Sequence, residues 1–347
     1  MTNDSFHITW QSPSNIALVK YWGKHGVQLP NNASLSMTLK NASTTTTMSV
    51  DEITGGMAVT YLFEGARNPF FEEKIVLFMA SLQTEMPFLN RFQFRFESSN
   101  SFPHSTGIAS SASSMSALAL CLVSLEEQVS GSKFTKDEFF KRASYIARLG
   151  SGSASRSVYG GWVSWGSHEA LIGSSNEFAS PICFPVHQKF QEMADAVLIV
   201  SSKKKSVSST LGHRLMDSHP FAKARYKQAN QNIGLLKEAM LKGDFNQFAS
   251  LVELEALTLH GLLMTSSDDG LLIKPNTWTI IQKIREHRLA TGTELCFTLD
   301  AGPNVHLLYP LPEREKVLLF IKTELQALCE EGKWIDDQMG EGPEPLV

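Results

Sequence analysis

The stretch Phe102-Pro-His-Ser-Thr-Gly107-Ile-Ala-Ser-Ser-Ala-Ser-Ser114 constrains this chain more than any other. Before it, Phe92, Phe94 and Phe96 alternate with Gln93 and Arg95, the period-two signature of a half-buried strand. After it comes the apolar run Met115 to Val123, which reads as a helix. A strand, a loop of small residues and a helix bring backbone N–H groups and the positive end of a helix dipole to one spot, which suits a phosphate. The same serines could also merely cap a core helix. The loop has neither the Gly-Lys-Ser/Thr of a P-loop nor a Gly-x-Gly-x-x-Gly fingerprint, so a different nucleotide fold is required.

A chain of 347 residues has room for two domains, and 42% apolar with 19% charged residues fits a globular protein with a sizeable core. Lys plus Arg number 31 against 35 for Asp plus Glu, a formal charge of −4, so no global basic field would recruit nucleic acid. Any anion must be held locally. Cys121, Cys183, Cys296 and Cys329 are widely spaced and form no Cys-x-x-Cys pair, which points to buried, reduced thiols and away from zinc or a disulfide framework. Met1 to Trp10 is polar without a signal core, and no run reaches the length of a membrane span, so a cytoplasmic location is expected.

Along the chain, His7–Trp10 and Ile16–Trp22 read as short strands flanking a turn at Ser12-Pro13-Ser14-Asn15. Lys20, Tyr21, Trp22 and Lys24 would suit a polyanion, although lysines at a strand end are commonly just solvated. Thr135 with Glu138 forms a capping box ahead of a helix. The following Gly150-Ser-Gly-Ser-Ala-Ser-Arg156-Ser157 reads as a flexible polar segment, either a linker or a place where hydroxyls and the Arg156 fork converge on an anion. Ala194–Ser201 reads as a strand that opens a second domain, giving units 1–190 and 191–347. Two helices follow, one after Pro220 that ends at Gly243 and one from Phe245 to Leu259. Glu294–Leu299 and Val305–Tyr309 form a hairpin about Asp300-Ala-Gly-Pro-Asn304, and a last amphipathic helix runs from Val317 to Leu328. The tail after Gln338 is expected to be loosely ordered.

Pro103-x-x-x-Gly107-Ile108-x-Ser110-Ser111 resembles the phosphate loop of the galactokinase, homoserine kinase, mevalonate kinase and phosphomevalonate kinase (GHMP) superfamily. Four further blocks narrow the likeness: Asn15-Ile-Ala with Lys20-Tyr-Trp-Gly-Lys24, Gly150-Ser-Gly-Ser-Ala154 with Arg156-Ser157, Val207-Ser-Ser-Thr210, and Asp300-Ala-Gly-Pro-Asn304. In this order they resemble the diphosphomevalonate decarboxylases over residues 15 to 304. The resemblance implies an α+β, two-domain GHMP-kinase-like fold. Its N-terminal domain is similar to ribosomal protein S5 domain 2 and its C-terminal domain is ferredoxin-like. It also implies ATP- and Mg2+-dependent decarboxylation of mevalonate 5-diphosphate to isopentenyl diphosphate, in a cytoplasmic homodimer.

Carried onto this sequence, the resemblance makes Asp300, Lys20 and Arg156 the catalytic set. Asp300 would orient or deprotonate the substrate 3-hydroxyl, Lys20 would keep Asp300 ionised, and Arg156 would grip the substrate carboxylate. Tyr21, Lys24, Ser151, Ser153 and Ser208 complete the substrate site, and Pro103, Gly107, Ile108, Ala109, Ser110 and Ser111 the ATP site. Mg2+ would sit on the ATP phosphates, with Ser111 as a candidate ligand. The sequence departs from the family pattern at His104-Ser-Thr106, at Ile108, at Ser155 in place of a frequent cysteine, and at Lys204-Lys-Ser206 where an aspartate is usual. Three alternatives stay open: a decarboxylase of the monophosphate, a mevalonate 3-kinase, and a non-catalytic ATP-binding regulator.

Overall fold

The computed structural model describes residues 6–102, 109–203, 209–266 and 270–346. Its larger sheet has eight strands. The long ones are β1 (Phe6–Val19), β2 (Ser34–Glu52), β3 (Ala58–Phe63), β4 (Phe92–Asn100) and β5 (Trp162–Trp165). β1 and β2 pair antiparallel along almost their whole length, β4 adds to the far half of β2 and β5 to its near half. Helices α1 (Pro69–Ser81), α2 (Ser110–Ser130) and α3 (Lys136–Gly150) belong to the same half of the chain. Phe92, Phe94 and Phe96 point together into a core with Leu118, Leu122, Phe139 and Ile146, as their alternation requires.

The second sheet is antiparallel and four-stranded, built from β6 (Met193–Leu198), β7 (Cys296–Thr298), β8 (Val305–Pro310) and β9 (Trp334–Gln338) in the order β7-β8-β6-β9. With it go α4 (Ser209–Leu215), α5 (Ala222–Lys242), α6 (Phe245–Met264), α7 (Pro275–Thr291) and α8 (Arg314–Phe320). The α+β expectation therefore holds.

The two halves share a core. Ile16 and Leu18 of β1 and Leu35 and Met37 of β2 pack with Ile233, Leu236, Phe248 and Leu308 of the second half. A carboxylate locks the same junction: Asp337 of β9 accepts the N–H groups of Lys40 and Asn41 on Oδ1, at 3.0 and 2.8 Å, and of Ala42 on Oδ2, at 2.7 Å. These contacts satisfy backbone donors where β2 bends away from its ladder. The arrangement fixes where β1 ends, and Lys20 is the first residue beyond it.

Several sequence expectations are corrected. Ser12 to Asn15 is no turn, because β1 runs straight through with a register shift between Pro13 and Asn15. Its polar side chains serve tertiary partners, Ser12 donating to Ser116 Oγ at 2.7 Å and Asn15 to Ser157 Oγ at 2.8 Å. Gly152–Val158 is a 3₁₀ turn rather than a flexible segment, and Ala154, Ser155, Arg156 and Ser157 in it are buried. The tail is paired: β10 (Glu344–Leu346) adds to the edge of β1 through Thr9, Trp10 and Gln11. Cys183 is exposed, whereas Cys121, Cys296 and Cys329 are buried thiols.

Candidate active site

A cavity of about 570 Å³ opens where the end of β1, the first turn of α2, the Gly152–Val158 turn, α4 and the Asp300 loop meet. Lys20 is 3% exposed, and its Nζ donates to Asp300 Oδ1 at 3.0 Å. Burial pushes the Lys20 pKa down from 10.5, against the pull of Asp300 and Glu255, and Arg156 adds to the lowering. The backbone of Lys20 is held from both halves of the chain. Glu255 on α6 accepts its N–H at 2.9 Å, and Arg225 on α5 and Asn32 donate to its carbonyl at 3.3 and 3.0 Å. Glu255 is itself satisfied by a two-pronged pair with Arg225 at 2.8 and 2.5 Å and by Asn232 at 2.6 Å, all buried. On the other side, His260 Nε2 donates to the Asp300 carbonyl at 3.0 Å, which fixes the backbone of the carboxylate's own loop.

Arg156 is 2% exposed and lines the same cavity. Its Nε donates to Asn15 Oδ1 at 3.3 Å and its Nη1 to Ser34 Oγ at 2.7 Å, with the guanidinium 5.9 Å from the Trp165 ring. Among the described residues it has no ion-pair partner. Burial lowers its pKa to about 10, opposed by Asp300 and Tyr21, so it stays cationic at neutral pH. A buried guanidinium held only by neutral acceptors is a ready receptor for a carboxylate or phosphate.

Tyr21 is buried edge-on against Trp165, with ring centroids 4.7 Å apart. Its hydroxyl is sealed from solvent and has no hydrogen-bond partner among the described residues, and burial raises its pKa. Ser151 and Ser153 flank Gly152, where a Cβ would stand 2.6 Å from the Trp165 ring and 2.9 Å from Tyr21 Oη. Ser155 closes this turn, donating to the Gly152 carbonyl at 2.7 Å. Lys24, half-buried, donates to Gln28 Oε1 at 2.8 Å, and burial followed by Arg214 lowers its pKa against Asp217.

The far end of the cavity carries Ala109, Ser110 and Ser111 at the start of α2. Ala109 holds a left-handed backbone, φ +37°, at a cost of about 1–2 kcal/mol for a residue with a Cβ. No side chain among the described residues caps this N-terminus, so its first N–H groups suit an anion. Tyr61, Phe71, Phe78 and Met115 add apolar and aromatic lining to the same cavity.

The cavity thus gathers Lys20, Tyr21, Lys24, Ala109, Ser110, Ser111, Ser151, Ser153, Arg156 and Asp300 from four stretches of sequence. Pro103, Gly107, Ile108 and Ser208 lie outside the described residues. Sequence reasoning missed Ser34, Arg225, Glu255, His260 and His213, which reach the site or its supports from strand and helix positions without any local motif. Asn15 stood in a recognised block, and its bonds to Arg156, Ser153 and Ser157 now explain why.

Comparison with known proteins identifies a family. Residues 12–177 match the model of the diphosphomevalonate decarboxylase-like N-terminal domain, and residues 196–342 that of the mevalonate 5-diphosphate decarboxylase C-terminal domain. The diphosphomevalonate decarboxylase of Gibberella zeae is 31% identical over 320 residues, covering 88% of this chain and 81% of that protein. Among solved structures, the mevalonate diphosphate decarboxylase of Staphylococcus aureus superposes with a TM-score of 0.84 at 27% identity over 99% of both chains. MDDEF in complex with MVAPP, AMPPCP and magnesium superposes with a TM-score of 0.83, also at 27% identity over 99% of both chains. Matched by both family domain models and by a relative 31% identical over most of both chains, this chain belongs to the diphosphomevalonate decarboxylase family.

Proposed function

We infer that this protein is an ATP-dependent decarboxylase that converts mevalonate 5-diphosphate to isopentenyl diphosphate, releasing ADP, phosphate and CO2. The observation that carries the reading is one cavity holding a buried Lys20 paired with a partly open Asp300, beside a buried Arg156 with no ion-pair partner among the described residues. The names of the relatives support it, as does the nearby structure that holds MVAPP, AMPPCP and magnesium.

In this reading Arg156, with Ser151 and Ser153, takes the substrate carboxylate, and Tyr21, Lys24 and Ser208 take the diphosphate. Asp300 accepts the proton of the 3-hydroxyl as that oxygen attacks the γ-phosphorus and the bond to ADP breaks. The phosphate ester is a better leaving group than hydroxide. When the carbon–carbon bond to the carboxylate breaks, its electron pair forms the double bond and phosphate departs with the oxygen. Lys20 offsets the negative charge around Asp300 and the transferred group. Pro103, Gly107, Ile108, Ala109, Ser110 and Ser111 hold the ATP phosphates. Mg2+ would be held on the ATP phosphates, with the Ser111 hydroxyl as a candidate ligand. Magnesium, when bound, would neutralise the ATP charge.

Division of the chain at 190/191 belongs to the same reading, supported by the two separate sheets and the two family matches. So do a homodimer and a cytoplasmic location, which light scattering and fractionation would check. Purified protein supplied with ATP, Mg2+ and, separately, mevalonate, its 5-phosphate and its 5-diphosphate tests the substrate. Equal ADP and CO2 from the diphosphate alone supports the reading. CO2 from the monophosphate alone, ADP without CO2, or no turnover would move it to a monophosphate decarboxylase, a 3-kinase or a non-catalytic ATP binder.

A further inference from the structure

His213 lines the cavity beside Lys20, Tyr21, Lys24 and Arg156, yet the chemistry above leaves it without a task. Its Nδ1 accepts the Gly23 N–H at 3.0 Å. A backbone N–H can only donate, so Nδ1 is bare and the single proton of a neutral imidazole rests on Nε2. The ring is held between aromatic neighbours, 4.3 Å from Tyr21 at a tilt of 40° and 4.8 Å from Trp22 at 34°. Gly212 lets α4 come this close, since a Cβ there would stand 2.5 Å from the Trp22 ring. One imidazole therefore touches three consecutive residues of the Tyr21-Trp22-Gly23 segment, and its orientation is fixed.

We propose that His213 is a substrate-binding residue that donates a hydrogen bond from Nε2–H to the phosphate end of mevalonate 5-diphosphate. This rests on the decarboxylase reading of the cavity. The site already carries the cations Lys20, Lys24 and Arg156. Burial, then the charges of Lys24 and Arg156, hold the His213 pKa down to about 3, so the imidazole stays neutral. It supplies a directed donor to a phosphate oxygen without a further buried charge. A ring that merely clamped Gly23 would need only Nδ1.

Two variants separate these roles. His213→Leu keeps bulk and loses both nitrogens, whereas in His213→Gln the amide oxygen can accept from Gly23 and the amide nitrogen can donate. Loss of a hydrogen bond to a charged acceptor corresponds to roughly a ten- to hundredfold weaker interaction. His213→Leu should raise KM for the diphosphate by about that factor with kcat changed less than about threefold and KM for ATP unmoved, and His213→Gln should recover most of it. Calorimetry of the diphosphate with each purified protein reads binding without turnover. Absence of turnover in the unmodified enzyme would count against the decarboxylase reading alone. Equal Kd for the unmodified and His213→Leu proteins, or equal impairment of both variants, would overturn the role of His213. Histidine 15N spectra should show the Nε2–H tautomer before substrate and a shift of that nitrogen on its addition; an Nδ1–H tautomer or an unmoved resonance would also overturn it.

Discussion

Lys20 and Asp300 stand 280 residues apart in the chain, and their side chains meet at 3.0 Å inside the cavity. The ammonium is almost wholly buried and the carboxylate is 26% exposed, so the acid is the more open member of the pair in the cavity lining. Replacing Lys20 by Met should lower kcat by about a hundredfold or more, through loss of charge stabilisation in the phosphoryl transfer.

The lowered Lys20 pKa also fixes a pH dependence. Burial favours the neutral amine, so the ammonium is lost below the ordinary 10.5 as pH rises, and kcat/KM should fall on an alkaline limb beneath that value. A pH–rate profile of the enzyme checks this, and Lys20→Arg should move the limb upward. A flat profile to pH 10.5 would contradict it.

Strand β4, the capped helix α3, helices α5 and α6 and most of the cavity residues were legible in the sequence, because alternation, caps and the Gly/Ser blocks are local signals. The supports were not. Glu255 and Arg225 lie 30 residues apart on consecutive helices, and only folding turns them toward the Lys20 backbone. Arg156 looked mobile among glycines and serines because nothing local announces that Asn15, Ser34 and Trp165 enclose it. The tail looked loose because the pairing of Glu344–Leu346 depends on the free edge of β1 at the opposite end of the chain.

Glu255→Gln would leave Arg225 without its charged partner in a closed site and weaken the acceptor for the Lys20 N–H. Breaking a buried pair this way costs about 3–5 kcal/mol. Urea unfolding should show that loss, and kcat should fall while KM for ATP holds.

Gly152→Ala would drive a methyl into Trp165 and Tyr21 Oη. Both are packed ring systems with little slack, so Tyr21 must move. KM for the diphosphate should rise about tenfold or more with the fold retained by circular dichroism.

His213 gives a second pH signature, in stability. Its folded pKa is about 3 against 6.5 unfolded, so between those values the unfolded chain binds the extra proton and stability falls as pH drops. The slope from this residue is at most about 1.4 kcal/mol per pH unit. Urea unfolding from pH 7 to 4 should therefore be less steep in pH for His213→Gln than for the unmodified enzyme.

The most direct measurement is Asp300→Asn, assayed for ADP and CO2 with ATP, Mg2+ and mevalonate 5-diphosphate, alongside calorimetric binding of the diphosphate. Asparagine keeps the shape and removes the base. Both products should fall together by about 10²–10⁴-fold while the diphosphate Kd changes only a few-fold. ADP formation near the unmodified rate would contradict the assignment of Asp300 as the group that takes the 3-hydroxyl proton.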